Sequence, residues 1–410
     1  MENKNEYSFL KEKIKDKPFN WKHLWQKACL IAGTGILFGI CACIAFCGLK
    51  PWAEKRFENS PQKVVVPPDD EEENPQDQEE EEQEDKTAVL DISNVRELNR
   101  AVYDVSRTAE KSVAQVIVRP AGDKWLDESY QAAAGIVLAD NGREILVLTE
   151  GILFGNSEET ITVTLPDDKE YEAVLKKKDE NLGLAVVGIS KTLLSDTVWT
   201  YTNFAVYGNS NLLGRGDGLI ALGRPFGTKD GLAYGVVSST QSQIFKADGM
   251  CRILESDIGA NENSSAILFN VNGEFVGITC RAADEMSRSN LIAYPISEIK
   301  SQIELLLNGS GVPYVGIRGE DIPKAVQETK QIPMGVYVKE VEADSPAMQS
   351  GIQSGDIIVS VDGDEIQTLA SYKTKILTYR TDAKIRIGVK RAGADGYVDI
   401  TYEVTVASKE

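Results

Sequence analysis

The stretch Ser256–Thr279 reads SDIGANENSSAILFNVNGEFVGIT, and it contains the pattern on which the fold of this chain depends. Ala266–Asn270 and Phe275–Thr279 are short, rich in aliphatic and aromatic residues, and bounded by Asn, Asp and Gly. Such runs are typical of antiparallel strands joined by tight turns. The stretch therefore predicts a β-rich domain, with Ser264 in a polar turn just before a strand.

The same pattern recurs toward the N-terminus. The predicted strands are Ser112–Val118, Gly135–Ala139, Ile145–Thr149, Thr160–Leu165, Tyr171–Leu175, Leu184–Ile189, Gly218–Leu222, Ala233–Ser239, Ile253–Glu255, Ala266–Asn270 and Phe275–Thr279. Because no helical segment separates them, they favour antiparallel barrels. Apolar residues at three- and four-residue steps predict flanking helices over Asn94–Ser112 and Ile296–Leu307.

A second folded unit begins near Val312 and mixes both kinds of element. Its predicted strands are Gly335–Val341, Asp356–Val361, Lys384–Lys390 and Val398–Val404, and its predicted helices are Ala347–Ser350 and Thr368–Tyr379. The unit is therefore expected to be one α+β domain.

The N-terminal region carries a run of 22 residues without a charge, Ala28–Leu49. At about 1.5 Å per residue the run spans roughly 33 Å, enough to cross a bilayer. A cleaved signal peptide is the competing interpretation, but its apolar core would be shorter. The lysine-rich flank before the run predicts a cytoplasmic N-terminus, with everything after Lys50 outside the plasma membrane.

Charge is unevenly distributed along the 410 residues. The net charge of −19 argues against a nucleic-acid partner, and Asp69–Asp85 contains 12 acidic residues and no basic one. The sequence predicts a mainly β protein with five segments: a cytoplasmic tail over 1–27, a transmembrane helix over 28–49, an acidic disordered stalk over 50–92, a β-barrel domain over 93–310 and an α+β domain over 311–410.

Cysteine and histidine restrict the chemistry that this chain can perform. Cys251 and Cys280 lie outside the predicted membrane helix, where they could form a disulfide or stay as buried thiols. The only histidine is His23, which precedes the membrane run. No group of residues has metal-ligand spacing, so neither a metal nor a cofactor is expected.

Several motifs, taken in order, resemble those of the HtrA (Deg-type) serine protease family. Gly214–Gly227 (GRGDGLIALGRPFG) is similar to that family's strand ending in Gly-x-Pro-Phe-Gly, Gly235–Ser238 to its G-I-V-S strand, and Ser256–Thr279 to its nucleophile segment. The resemblance covers about residues 94–408. It implies a trypsin-like double β-barrel followed by a PDZ domain.

The same resemblance locates the three positions of the catalytic triad. Ile152 stands at the histidine position, Gly183 at the aspartate position, and Ser264 at the nucleophile position. Asp179 and Glu180 lie too far along the chain to replace the missing carboxylate. Ser-His-Asp catalysis needs an imidazole to take the serine proton and return it to the leaving amine. The sequence therefore favours a pseudoprotease over an enzyme.

The nucleophile turn also departs from the family's pattern. Glu262–Ile267 (ENSSAI) replaces G-N-S-G-G-P, and Glu262 stands at the glycine whose N–H helps to form the oxyanion hole. A serine protease with a lysine base is the alternative. Its candidate bases are Lys176, Lys177, Lys178 and Lys246.

The PDZ domain supplies the predicted binding site. Tyr314, Val315, Gly316 and Ile317 resemble the family's Y-L-G-I loop, whose successive N–H groups hold a terminal carboxylate. Tyr372 and Ile376, on the predicted groove helix, are expected to shape the pocket for the last peptide side chain. Ser345–Ile358 resembles the family's S-P-A…G-D-I-I signature.

These features predict a membrane-anchored, catalytically inactive HtrA-like protein. Its expected partners are C termini of exported or unfolded polypeptides, which it would bind as a scaffold, holdase or regulator in envelope protein quality control. The resemblance also implies a trimer, or a hetero-oligomer with active relatives. An active endopeptidase with a non-standard base and a purely structural envelope tether are the remaining hypotheses.

Overall fold

The computed structural model of this protein describes residues 61–69, 92–120, 130–155, 159–280 and 289–410. The chain divides into two compact units, Met1–Pro61 and Gln62–Glu410. The predicted cytoplasmic tail and transmembrane helix, residues 1–49, lie outside the described residues. Among the helices of the described part, none combines the length and apolar character needed to span a bilayer.

In the described part of the chain the first helix is α1, Ile92–Ala109, which covers most of the predicted Asn94–Ser112 helix. Only its C-terminal half is packed, because Ser106 and Ala109 are buried while Val95 and Leu98 are about half exposed. The spacing of the apolar residues therefore predicts the helix, and the core takes up only the end nearest the first strand.

The first barrel is closed by six antiparallel strands. They are β1 (Val113–Pro120), β2 (Gln131–Asp140), β3 (Glu144–Glu150), β4 (Glu159–Thr164), β5 (Glu170–Asp179) and β6 (Leu184–Ser190), in the spatial order β1-β2-β3-β6-β5-β4. Alternate aliphatic side chains of these strands fill its interior, as the period of two requires. The short helix α2, Val198–Tyr201, follows this barrel.

The second barrel has the same architecture. Its strands are β7 (Gly218–Arg224), β8 (Gly231–Ser239), β11 (Leu254–Gly259), β12 (Ser265–Asn270), β13 (Phe275–Thr279) and β14 (Asn290–Pro295), in the order β11-β14-β13-β12-β7-β8. Strands β9 (Gln243–Lys246) and β10 (Gly249–Arg252) form a separate two-stranded hairpin. The sequence patterns did not predict β9, β10 or β14.

Helix α3, Ile296–Leu307, packs against both barrels. It contributes Ile299, Ile303 and Leu306 to an apolar cluster that also contains residues of the two barrels. An extended segment, residues 62–69, lies on this helix and is called the strap below. The Val64 N–H donates to Asn308 Oδ1 at 2.8 Å, and Asn308 Nδ2 donates to the Val64 carbonyl at 2.8 Å.

The strap corrects part of the predicted disordered stalk. Val66 is buried in the cluster that α3 shares with the barrels, and Asp69 pairs with Lys300 at 2.6 Å. The acidic run dominated the composition of this region and hid the three consecutive valines at 64–66. In an extended chain Val64 and Val66 share one face, which can pack on α3, while Val65 faces the other way. The rest of the predicted stalk, residues 50–60 and 70–91, lies outside the described residues.

The C-terminal domain is a sheet with its own core. The sheet follows the order β15 (Ile317–Asp321), β16 (Val336–Val341), β17 (Ile357–Val361), β19 (Lys384–Gly393) and β20 (Gly396–Thr405), and the two-residue β18 (Asp364–Glu365) pairs with β17. Helices α5 (Pro346–Ser350) and α6 (Leu369–Leu377) contribute Ala347, Leu369, Tyr372 and Ile376 to this core, whereas α4 (Lys324–Lys330) has no buried residue. The predicted mainly β architecture, two barrels followed by an α+β domain, is confirmed for the described residues.

Candidate functional site

The turn that carries Ser264 is closed by its own hydrogen bonds. The Ser264 N–H donates to the Asn261 carbonyl at 3.0 Å, and the Asn261 N–H donates to Ser264 Oγ at 2.8 Å. Asn261 Oδ1 also accepts the Asn263 N–H at 2.9 Å. The side chain of Ser264 is only 6% exposed. The N–H at the nucleophile position is therefore used within the turn, so it does not point toward a site where an oxyanion would form.

The other two predicted triad positions lie side by side at one end of the first barrel. Ile152 follows β3 in a single 3₁₀ turn and is 58% exposed. Gly183 lies in the β5–β6 turn with φ +72°, and its carbonyl accepts the Gly151 N–H at 2.7 Å. A hydrocarbon side chain and a glycine cannot move a proton. The structure brings these two positions together but gives them no acid–base chemistry.

A buried polar network joins the two barrels close to these turns. Glu150, the last residue of β3, accepts a hydrogen bond from Thr279 Oγ1 at 2.6 Å, and Thr279 Oγ1 accepts the Ala266 N–H at 2.9 Å. Ser265 Oγ accepts the Ala134 N–H at 2.8 Å. Sequence reasoning passed over Glu150 because a glutamate after a strand usually reads as solvent-exposed.

Asp179 is the acidic residue with the most perturbed environment near Gly183. It ends β5, is 2% exposed, and its Oδ2 has no hydrogen-bond partner among the described residues. Burial raises the pKa of Asp179 to about 6, although the Asn181 N–H and the charges of Lys246 and Lys409 oppose that shift. Glu180 pairs with Lys178 at 3.0 Å.

The candidate lysine bases face carboxylates or the junction between domains. Lys176 pairs with Glu144, Lys177 with Glu410, and Lys178 with Glu180. Burial lowers the pKa of Lys246. This lysine lines a cavity of about 30 Å³ whose walls, among the described residues, include Asp179 and Asp248 but not Ser264.

The described part of the chain contains two cysteines, and they do not form a disulfide. Cys251 and Cys280 are both buried free thiols, which decides between the two interpretations left open by the sequence. Within the described residues no group of three or more His, Cys, Asp or Glu side chains could hold a metal ion.

The predicted carboxylate-binding loop of the PDZ domain already holds a carboxylate. Asp248 lies at the tip of the β9–β10 hairpin and its side chain is buried in the loop. Asp248 Oδ2 accepts the N–H groups of Val315 at 2.6 Å and Gly316 at 2.8 Å. Asp248 Oδ1 accepts the Ile317 N–H at 3.1 Å and the Tyr372 hydroxyl at 3.0 Å.

The six residues predicted to bind peptide are thus brought together, but around the hairpin. The loop residues Tyr314–Ile317 and the α6 residues Tyr372 and Ile376 are all buried. Glu342 accepts a hydrogen bond from the Tyr314 hydroxyl at 2.7 Å and pairs with Lys409 at 2.7 Å. Burial works against the ionised form of Glu342, but these contacts and Arg318 outweigh it and lower the pKa of Glu342 to about 2.

Sequence reasoning did not find Asp248. The Asp248-Gly249 pair is a turn signal, and Asp248 adopts φ +60°, which aspartate tolerates better than most residues. That signal predicts a hairpin tip. Nothing local in the sequence places the tip in a loop about 70 residues further along the chain.

Two family models match the chain: a trypsin-like peptidase domain over residues 133–278 and a PDZ domain over residues 313–402. Serine protease Do-like HtrA of Bacillus subtilis is 27% identical over 322 residues, covering 74% of this chain and 69% of the relative. The periplasmic pH-dependent serine endoprotease DegQ of Escherichia coli is 25% identical over 298 residues, covering 70% of this chain and 63% of DegQ.

Solved structures share the fold. The HtrA-type protease AlgW with a tripeptide aligns with a TM-score of 0.55 and 22% identity, covering 76% of this chain and 98% of AlgW. The serine endoprotease of Yersinia pestis aligns with a TM-score of 0.51 and 23% identity, covering 75% of this chain and 98% of that chain. The two barrels and the PDZ domain therefore follow one another as they do in known proteins.

Proposed function

We propose that this chain, which belongs to the HtrA (Deg-type) family of trypsin-like proteins with a C-terminal PDZ domain, binds polypeptide C termini and leaves peptide bonds intact. The observation that carries the proposal is the PDZ loop itself. Three successive N–H groups, from Val315 to Ile317, converge on one carboxylate. A loop of that geometry suits the terminal carboxylate of a peptide. The rest of the peptide can then pair with the adjacent edge strand β15 as an added β-strand.

Inactivity is supported by what stands at the triad positions. Ile152 and Gly183 cannot accept or orient a proton, and the single histidine of the chain, His23, lies far to the N-terminal side of both barrels. The Ser264 N–H donates within its own turn. Loss of the base alone lowers turnover on the order of 10⁶-fold in a serine protease, and loss of one oxyanion donor costs a further 10²–10³-fold.

The proposed setting follows from the N-terminal sequence. We expect Ala28–Leu49 to anchor the protein in a bacterial plasma membrane and to leave both barrels and the PDZ domain outside the cytoplasm. There the protein would bind exported or unfolded polypeptides as a scaffold, holdase or regulator. Assembly as a trimer, or with active relatives, belongs to the same proposal.

The test is an activity measurement on the purified full chain with Ser264→Ala as the matched control. A fluorophosphonate probe labels serines that an adjacent base and an oxyanion hole have activated. We expect equal background labelling of both proteins, and unfolded casein should stay intact with either one.

Serine-dependent labelling and casein cleavage would establish the second candidate function, an endopeptidase with a non-standard base. The observation in its favour is the buried Glu150 carboxylate, two residues from Ile152, bonded to Thr279 at the barrel junction. The names of the bacterial relatives, which are serine proteases, also agree with it.

A further inference from the structure

The tip of the β9–β10 hairpin reproduces the contacts of a bound peptide end. The Asp248 carboxylate takes three loop N–H groups and the Tyr372 hydroxyl, so both of its oxygens have two donors. The Asp248 N–H also donates to the Ile317 carbonyl at 2.7 Å, which is the main-chain contact that a strand added to β15 would make first.

The residues after Asp248 also make contacts like those of a bound peptide. Met250 packs against the apolar core of the PDZ domain. Lys373, on α6, donates to the Met250 carbonyl at 3.3 Å. The hairpin thus enters the PDZ domain between β15 and α6, where a peptide would lie, with one carboxylate in the loop and one apolar side chain on the core.

From this arrangement we propose that Asp248 is an internal ligand of the PDZ carboxylate-binding loop, and that a polypeptide C terminus binds by displacing it. The inference rests on the proposed function, because it assigns a competitor to the same site. The loop surrounds one buried carboxylate, and a second one would have neither a donor nor room.

The tip of the hairpin can withdraw from the loop without breaking either barrel. Strands β9 and β10 pair only with each other among the described residues, and each is four residues long. Cys251 and Ile244, further from the tip, pack in the apolar cluster around α3. The tip itself contacts the first barrel through polar groups: Asn181 Nδ2 donates to the Ala247 carbonyl at 2.9 Å, and the Ala247 N–H donates to Asn181 Oδ1 at 3.2 Å. Water can replace such bonds once the tip withdraws.

The test compares three proteins made as the full chain: wild type, Asp248→Gly and Asp382→Gly. Glycine keeps the left-handed backbone at Asp248 while removing the carboxylate. Asp382 has the same kind of backbone at φ +65° and is exposed in the PDZ domain, so it controls for the substitution itself. Should the glycine variant fold poorly, Asp248→Asn retains the side-chain shape and removes the charge.

The first readout is hydrogen exchange of the amides of Val315–Ile317, which needs no peptide. Because Asp248 protects these amides, Asp248→Gly should accelerate their exchange at least about tenfold while Asp382→Gly leaves it unchanged. Unchanged exchange in Asp248→Gly would overturn the assignment of Asp248 to the loop.

The second readout is peptide affinity. Decapeptides with free C-terminal carboxylates are selected from a random library on the Asp248→Gly protein, and each selected peptide is titrated into all three proteins beside its amidated copy. A tethered competitor acts at a high effective concentration. We therefore expect Asp248→Gly to bind at least about tenfold more tightly than wild type and Asp382→Gly, and the amidated copies to bind none of them.

The outcomes separate the two claims. Equal affinity for wild type and Asp248→Gly would overturn the competition and leave the proposed peptide binding standing. Faster exchange without peptide binding to any of the three proteins would overturn both the proposed function and the competition. The Asp248 contact with the loop would then be purely structural.

Discussion

Asp179 shows how much of this molecule depends on single buried carboxyl groups. Its side chain lines the cavity of about 30 Å³ between the barrels and the PDZ domain, together with Lys246 and Lys373. Removal from water disfavours the ionised form more strongly than the Asn181 N–H and the nearby lysines favour it. The folded protein therefore binds a proton at Asp179 at a pH where the unfolded chain has released it.

This difference in pKa between the folded and unfolded states predicts that Asp179 lowers the free energy of unfolding in a pH-dependent way. With a folded pKa of about 6 against an ordinary 3.8, the stability of the wild type falls, relative to Asp179→Asn, as the pH rises through that interval. At pH 7 the penalty approaches about 3 kcal/mol, since one pKa unit corresponds to about 1.4 kcal/mol. Urea unfolding of both proteins at several pH values between 4 and 7.5 measures it.

The control for this experiment is Asp382→Asn, an exposed position in the PDZ domain. We expect its stability difference from the wild type to stay constant over the same pH interval. A constant difference for Asp179→Asn as well would mean that Asp179 is as well solvated in the folded state as in the unfolded one.

Among the elements, the strap has the clearest energetic role. Val66 is 7% exposed within the cluster that α3 shares with both barrels, whereas its neighbour Val65 is 68% exposed. Truncating a buried aliphatic side chain removes apolar contacts and leaves a small cavity. The pair therefore offers two chemically identical substitutions one residue apart.

We expect Val66→Ala to lower the free energy of unfolding by about 1–2 kcal/mol and Val65→Ala to change it by less than about 0.5 kcal/mol. Urea unfolding monitored by circular dichroism measures both. Equal effects of the two substitutions would show that the strap contributes nothing to the core.

At the scale of the whole molecule, three segments connect the PDZ domain to the barrels among the described residues. The hairpin tip inserts Asp248 into the loop at Val315–Ile317, and the linker after α3 leads directly into that loop. The C-terminal segment supplies the third connection, because the Glu180 N–H donates to the Lys409 carbonyl at 2.9 Å. Such coupling favours unfolding of residues 62–410 as one unit.

Calorimetry can detect this coupling. We expect the wild type to unfold in one transition, and Asp248→Gly to show a second, separate transition for the PDZ domain, because it loses the buried carboxylate contact. Asp382→Gly should keep the wild-type profile. Two resolved transitions in the wild type would show instead that the domains unfold independently.

The sequence predicted the elements better than their arrangement. Alternating and three- to four-residue apolar patterns are local, so most strands and the helices α1, α3 and α6 could be located from them. The short β9–β10 hairpin was missed because Gln243–Arg252 has a weak pattern, and the strap was missed because neighbouring acids dominated its composition. Both depend on contacts with distant residues.

The residues of the candidate sites show the same contrast between local sequence patterns and contacts with distant residues. The sequence motifs predict the roles of Ile152, Gly183, Ser264 and the loop Tyr314–Ile317, since each motif is a contiguous stretch. That Asp248 fills the loop could not be predicted, because it needs the three-dimensional path between two domains. Asp179 likewise has an unusual pKa only because segments distant in the sequence bury it.

The strap also decides where this protein can be cut. A recombinant fragment starting at helix α1 would contain every barrel strand but would lack the strap. The apolar surface beside α3 that Val66 covers would be exposed, and the Asn308 side-chain amide would lose its hydrogen bonds to Val64. Exposed apolar patches promote self-association, so such a fragment would tend to aggregate. A fragment beginning at or before Gln62 keeps that surface covered and is the natural N-terminal boundary for expression.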